Sequence, residues 1–325
     1  MMMTMKTLEV GLVLGGGGAR GLAHIGVLRA LEEYNIRPVA LAGCSMGAII
    51  GAFYAAGYGP DDMVEIIKKL KYRQFFYFGE LGGIIGGAGI EAFLSQYLPE
   101  TFEDLSLPLT VTTVDVQAGR LVVLNRGELI SALRASSALP GIISPVKRYE
   151  RYYVDGGLLN NLPIDVIRTM TMAPVIAVDV GAPPNKHLDF EPEKTSILAH
   201  VSDLVRGKKG LLDDVLRRGL TIELFMKAVD IPQKVLTEMR LSLQPPEVLI
   251  RPALEPQFGI EDFGRAKEAI KLGYSAAKTS LQDWLASLTP TPPEAQSDES
   301  DQRAQTGQHQ PEDDRARHPA NSRKN

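Results

Sequence analysis

Apolar positions along the chain switch repeatedly between two periods. Leu8 to Leu14 is mostly apolar with weak alternation, the pattern of a buried strand. Leu22, Ile25, Val27, Leu28 and Leu31 then fall near helical spacing. The same change recurs downstream. Strands are predicted at Leu8–Leu14, Val39–Ala42, Leu109–Val114, Leu121–Leu124, Tyr152–Val154, Val175–Val180 and Val248–Ile250. Helices are predicted at Leu22–Tyr34, Ala48–Ala56, Pro60–Leu70, Ile90–Tyr97, Leu129–Ala135, Ile164–Thr169 and Phe263–Leu285. Strands alternating with helices predict an α/β fold: a three-layer helix–sheet–helix sandwich with a mainly parallel central sheet. A functional site then belongs at the carboxyl ends of the strands.

The pattern also divides the chain. Residues 1–288 read as one domain, with a motif-bearing core over 8–180 and a helical part over 195–288. After Trp284 there is no aromatic residue, and after Leu288 no Val, Ile, Leu or Met. Such a polar stretch cannot offset its ordering entropy, so the tail 289–325 is expected to be disordered. Two segments read as lipid-facing candidates. Gly79–Gly89 follows Phe75-Phe76-Tyr77-Phe78 and could cover an acyl pocket, or be a buried loop and helix start. Leu211–Met239 mixes apolar positions with Arg217, Arg218, Lys227 and Lys234, which fits a membrane-surface helix or an amphipathic helix pair packed on the core.

Composition narrows the function classes. A net charge of −4 supplies no global basic field for nucleic acid. The single cysteine, Cys44, excludes an intramolecular disulfide and fits a reducing compartment. The first residues lack the apolar centre of a signal peptide, and no run of about 18 apolar residues exists. The expectation is a soluble, cytoplasmic protein that touches membranes only peripherally, at the inner surface.

Ser45 carries the first candidate chemistry. Gly43-Cys44-Ser45-Met46-Gly47 is a G-x-S-x-G pentapeptide between a predicted strand and a predicted helix. That context is the sequence form of a nucleophile elbow, a sharp turn that exposes a serine hydroxyl. The alternative is a tight strand–helix turn with an incidental serine.

Just upstream, Gly15-Gly16-Gly17-Gly18-Ala19-Arg20-Gly21 joins a strand to a helix. Such a loop can gather backbone N–H groups at a helix N-terminus, ready for a phosphate or an oxyanion. A dinucleotide fold wants an acidic residue about twenty positions on, and no Asp or Glu occurs between Glu33 and Asp61. A phosphate-binding Walker loop fails for lack of a following Lys-Ser/Thr. A packing-only glycine turn stays open, but a serine on the next strand favours the oxyanion reading.

The third candidate is Asp155-Gly156-Gly157, after the predicted strand Tyr152–Val154. It could be a simple turn. As a base for Ser45, Asp155 needs help, because a free Asp has a pKa of about 3.9. Burial would raise it. No histidine has a supporting pattern. His24 packs near the glycine loop, His187 sits in a Pro-rich loop, His200 in a helical stretch, and His309 and His318 in the tail. A Ser-Asp dyad reads better than a triad.

These three ordered motifs together resemble the patatin-like phospholipases, and look most like bacterial proteins similar to the catalytic domain of neuropathy target esterase. The connecting text agrees: Leu22-Ala23-His24-Ile25-Gly26-Val27-Leu28, Ala135-Ser136-Ser137-Ala138-Leu139-Pro140-Gly141 and Asn160-Asn161-Leu162-Pro163. The resemblance runs from about Leu8 to about Lys278. It implies hydrolysis of lipid or fatty-acyl esters through an acyl-enzyme. Ser45 would be the nucleophile, Asp155 the base, and Gly16, Gly17 and Gly18 the oxyanion hole. Gly21, Gly43, Gly47, Gly156 and Gly157 would support the turns. The family pattern has Arg or Lys where Arg20 stands, to orient amides or attract a phosphoester head group; a solvated arginine at a helix start would look the same. Cys44 stands where relatives often carry threonine. No metal or organic cofactor is implied. An acyltransferase, or a non-enzymatic protein on the same fold, would share these motifs.

Overall fold

The alternation in the central strands sorts side chains onto two faces of one sheet. In β1 (Leu8–Leu14), Val10, Leu12 and Leu14 enter one apolar cluster while Val13 enters another. In β7 (Val175–Val178), Ile176 and Val178 face the first cluster and Val175 and Ala177 the second. Period-two side-chain direction on a sheet buried from both sides produces this split. The expected three-layer sandwich is therefore present in this computed structural model, which describes residues 7–69, 87–181, 220–255, 258–259 and 261–288. His187, His200, most of Gly79–Gly89, residues 211–219 and the tail 289–325 lie outside the described residues.

The larger face is covered by α1 (Ala23–Glu33), α2 (Met46–Ala55), α3 (Pro60–Lys69), α4 (Ala88–Leu94), α5 (Leu129–Ser136) and α9 (Ala266–Leu288), all of which contribute to the first cluster. The opposite face holds α7 (Ile164–Ile167) and Leu241 of α8 (Leu220–Leu243) against Ala40, Ala42 and Ala177. Short α6 (Gly157–Asn160) joins β6 to this face.

Among the described residues, the sheet has eight strands. Its centre is parallel: β3 (Leu109–Asp115), β2 (Ile36–Cys44), β1, β7 and β8 (Val248–Ile250) follow one another. An antiparallel flank adds β4 (Arg120–Leu124), β5 (Val146–Arg148) and β6 (Arg151–Asp155). This flank positions the site. Along β3, Thr112 pairs with Cys44 and Val123, and the next residue Thr113 pairs with Asp155 and Val122. Because β4 runs continuously along one edge of β3, β2 and β6 must share the other edge. They run toward each other and stop end to end, at Cys44 and Asp155.

Candidate active site

Ser45 occupies the turn between β2 and α2 at φ 52° and ψ −124°. A non-glycine residue there carries strain of about 1–3 kcal/mol and persists only where its surroundings hold it. Gly47 explains part of the holding. A Cβ on Gly47 would collide with the backbone carbonyl of Leu14, so the first turn of α2 lies directly against the end of β1. The Ser45 N–H, at the helix start and without an intrahelical acceptor, donates to Ser136 Oγ at 2.8 Å.

The Ser45 side chain lies beside the Asp155 carboxylate and helps hold down its pKa. Asp155 is 5% exposed. Its Oδ1 accepts from the Gly157 N–H at 2.8 Å and from the Cys44 thiol at 3.5 Å. Burial pushes its pKa up to about 6, against the opposing pull of Gly157, Ser45 and Cys44. The carboxylate is thus ionised at neutral pH yet far more basic than a solvated one.

Cys44 is fully buried, and burial followed by the charge of Asp155 holds its pKa well above the usual thiol value. It is a protonated hydrogen-bond donor to Asp155, not a thiolate. Its burial also shields it from the oxidation that its place beside the site invites.

The glycine loop leads from β1 through a 3-10 turn (Gly18–Leu22) into α1. Asn161 fastens it: its Nδ2 donates to the Gly16 carbonyl at 3.1 Å, and its own carbonyl accepts the Gly16 N–H at 3.3 Å. A Cβ on Gly16 would strike Asn161 Oδ1 and approach Ser45 Cβ to 3.1 Å, so any larger residue here would have to displace Asn161 from the loop. Gly16 is therefore committed. Among the described residues, no acceptor takes the N–H of Gly17 or Gly18. Of the three loop amides, those of Gly17 and Gly18 are the ones left without an acceptor.

His24 sits behind the loop, fully buried, with Nε2 donating to the Gly15 carbonyl at 2.8 Å. Burial lowers its pKa to about 4, so it is neutral and structural rather than a triad member. Arg20 is only 6% exposed, and its Nε has no partner. Burial lowers its pKa, opposed by Asp230, Asp179 and Glu261. It is not the solvated arginine that the sequence left open. Among the described residues, no group of three or more His, Cys, Asp or Glu is placed to hold a metal.

The family model for patatin-like phospholipase matches residues 12–168. Over those residues the chain is similar to patatin-like phospholipases. An NTE family protein of Mycobacterium tuberculosis is 37% identical over 220 residues, 65% of this chain and 60% of that protein. Patatin-like phospholipase domain-containing protein 7 of Rattus norvegicus is 35% identical over 187 residues, 53% of this chain and 14% of that protein. The chain thus spans less than two thirds of either relative's own length. Among solved structures it is similar to VipD from Legionella pneumophila, at 13% identity and a TM-score of 0.48, over 85% of this chain and 67% of that one.

Within the matched segment, the structure brings Ser45, Asp155, Gly16 and Gly157 to one place, and Gly17 and Gly18 continue the loop from Gly16. Ser136 and Asn161 were not singled out by the sequence, although both lie in segments that carry the family resemblance. Their contacts reach across 91 and 145 positions of chain, and no local pattern encodes such distances.

Proposed function

We propose that this chain is a serine-dependent lipid acyl hydrolase working through a Ser45–Asp155 dyad. The observation that carries the reading is a strained elbow serine beside a buried carboxylate whose basicity is raised, with the preceding Cys44 Sγ 3.5 Å from that carboxylate. Ser45 Oγ bonds to the carbonyl carbon of a fatty-acyl ester as its proton passes to Asp155. The Gly17 and Gly18 N–H groups and the N-terminus of α2 stabilise the oxyanion. Collapse breaks the ester C–O bond, and Asp155 returns the proton to the departing alcohol or lysolipid. Water then attacks the acyl-enzyme, giving its proton to Asp155, and the fatty acid leaves as Ser45 regains its proton.

Peripheral contact with a lipid surface is part of the proposal. Ile231, Val235, Met239 and Leu243 recur at every fourth residue of α8 and are 62%, 54%, 55% and 78% exposed. Such a stripe suits a helix lying in a membrane interface. On the same helix, Gln233 packs against Gly157, beside the proposed base. No helix of the described residues is long and apolar enough to cross a membrane.

The test is hydrolysis of lysophospholipid micelles and a chain-length series of p-nitrophenyl esters by wild type and Ser45→Ala, with folding checked by circular dichroism. Hydrolysis by wild type and its loss in the folded variant are expected. Equal hydrolysis by both proteins would refute the reading.

A further inference from the structure

The two strands that carry the proposed dyad cannot hydrogen-bond to each other. β2 and β6 meet end to end on the same edge of β3, so no ladder fixes the gap between Cys44 and Asp155. The distance that matters for proton transfer is therefore not set by the sheet alone.

One short segment touches both sides of that gap. Ser136 ends α5 and is fully buried, and its Oγ accepts the Ser45 N–H at 2.8 Å. Two residues on, the Ala138 carbonyl accepts the Asp155 N–H at 3.0 Å. The Cys44 sulfur lies 3.5 Å from Asp155 Oδ1, and the Ser136 side chain is near enough to Cys44 to help hold down its thiol pKa. A hydroxyl has one proton to give and two lone pairs to accept with, so it can serve Ser45 and Cys44 at once. The segment itself is tied to the helix, since Ser137 N–H and Oγ both donate to the Leu133 carbonyl, at 3.0 and 2.9 Å.

We propose that Ser136 is a positioning residue: the Ser136–Ala138 segment brackets nucleophile and base from outside the sheet, and Cys44 links the Ser136 hydroxyl to Asp155. The inference rests on the Ser45–Asp155 reading above. A serine at positive φ keeps its hydroxyl aimed only while its backbone is held. Ser136 holds that backbone through its one N–H. Released, the hydroxyl drifts from line with the carboxylate, and a misplacement of about 1 Å costs on the order of 100-fold in rate.

The experiment follows the second-order rate of Ser45 labelling by a fluorophosphonate against pH, so no natural substrate is needed. Wild type, Ser136→Ala, Ser136→Cys and Cys44→Ala are compared, with circular dichroism and Tm recorded for each. In Ser136→Ala the plateau rate is expected to fall by about 100-fold with the acid midpoint unmoved. Ser136→Cys keeps an acceptor in similar volume and should recover part of that loss. Cys44→Ala removes a donor to the carboxylate, so its acid midpoint should move upward. A purely structural Ser136 would lower Tm and leave the labelling rate of the folded protein unchanged, which overturns the proposal. Should neither Ser136 variant fold, an unmoved midpoint in Cys44→Ala overturns it instead. A wild type that does not label sinks the dyad reading itself. A wild type that labels, beside variants that label identically, sinks this inference alone.

Discussion

Cys44 and Asp155 end two strands that approach from opposite directions, and they stop opposite the adjacent residues Thr112 and Thr113. Their side chains meet, with Cys44 Sγ 3.5 Å from Asp155 Oδ1. The serine that follows Cys44 is thereby delivered to the carboxylate. At this point the antiparallel flank of the sheet brings a carboxylate to a serine carried by the parallel centre.

Burial of Asp155 ties activity to stability. Its pKa rises from 3.8 to about 6 on folding. The folded state therefore holds this proton more tightly than the unfolded chain, and stability is lost as pH rises through that window. Above it, the ionised carboxylate costs roughly 3 kcal/mol. Asp155→Asn is expected to unfold at higher denaturant than wild type at pH 8, with the gap closing toward pH 4. Urea unfolding at the two pH values checks this, and a gap independent of pH would oppose it.

The elbow strain separates two replacements of the same serine. Ser45→Ala removes the hydroxyl and keeps the strained backbone, so stability should change little. Ser45→Gly removes the penalty for positive φ and should gain about 1 kcal/mol. Both should be inactive. Urea midpoints of the two variants decide it; a glycine variant less stable than the alanine one would mean that the turn is not strained.

His24 gives the opposite pH signature to Asp155. Its pKa falls from 6.5 to about 4 on folding, so its contribution is full above the unfolded value and is lost as pH drops through the folded one. His24→Ala also removes a buried ring and its bond to Gly15. It is expected to lose about 2–4 kcal/mol at pH 8, less at pH 4, with slower hydrolysis because the glycine loop loosens. Unfolding curves at both pH values measure the difference.

The exposed stripe of α8 makes the lipid-surface proposal testable without catalysis. Val235→Asp combined with Met239→Asp should weaken binding to phospholipid vesicles by roughly 10-fold or more, since each change removes an apolar contact and adds a charge. Hydrolysis of a soluble short-chain ester should be unchanged. Co-sedimentation with vesicles reads the first effect, and equal binding by both proteins would remove α8 from the interface.

Much of this architecture was legible because pattern and burial coincide. The strands Leu8–Leu14 and Val248–Ile250 have the bounds their apolar runs predict. β2 begins earlier than expected, at Ile36, because Pro38 is accommodated beside a register shift in β1 between Val10 and Gly11. β5 was not predicted. It has three residues, two of them charged, and its hairpin turns through Tyr149 and Glu150 at φ 47° and 62°, with none of the Asn-Gly chemistry that marks such turns. The predicted helix Phe263–Leu285 splits into a 3-10 turn at Phe263–Arg265 and α9. Asp155-Gly156-Gly157, open to a turn reading, instead leads into α6. At the site, the motif-bearing residues were readable because each sits at a strand end with glycines beside it. Ser136 and Asn161 were not, since a buried hydroxyl or amide acquires its role only from the residue that the fold sets against it.

The most direct test of the account is the pH dependence of ester hydrolysis by wild type beside folded Asp155→Asn. The dyad predicts a wild-type rate that rises through about pH 6 to a plateau. The variant should lose at least about 100-fold at every pH above that midpoint. A variant that keeps the wild-type rate and the same acid limb would show that Asp155 is not the base.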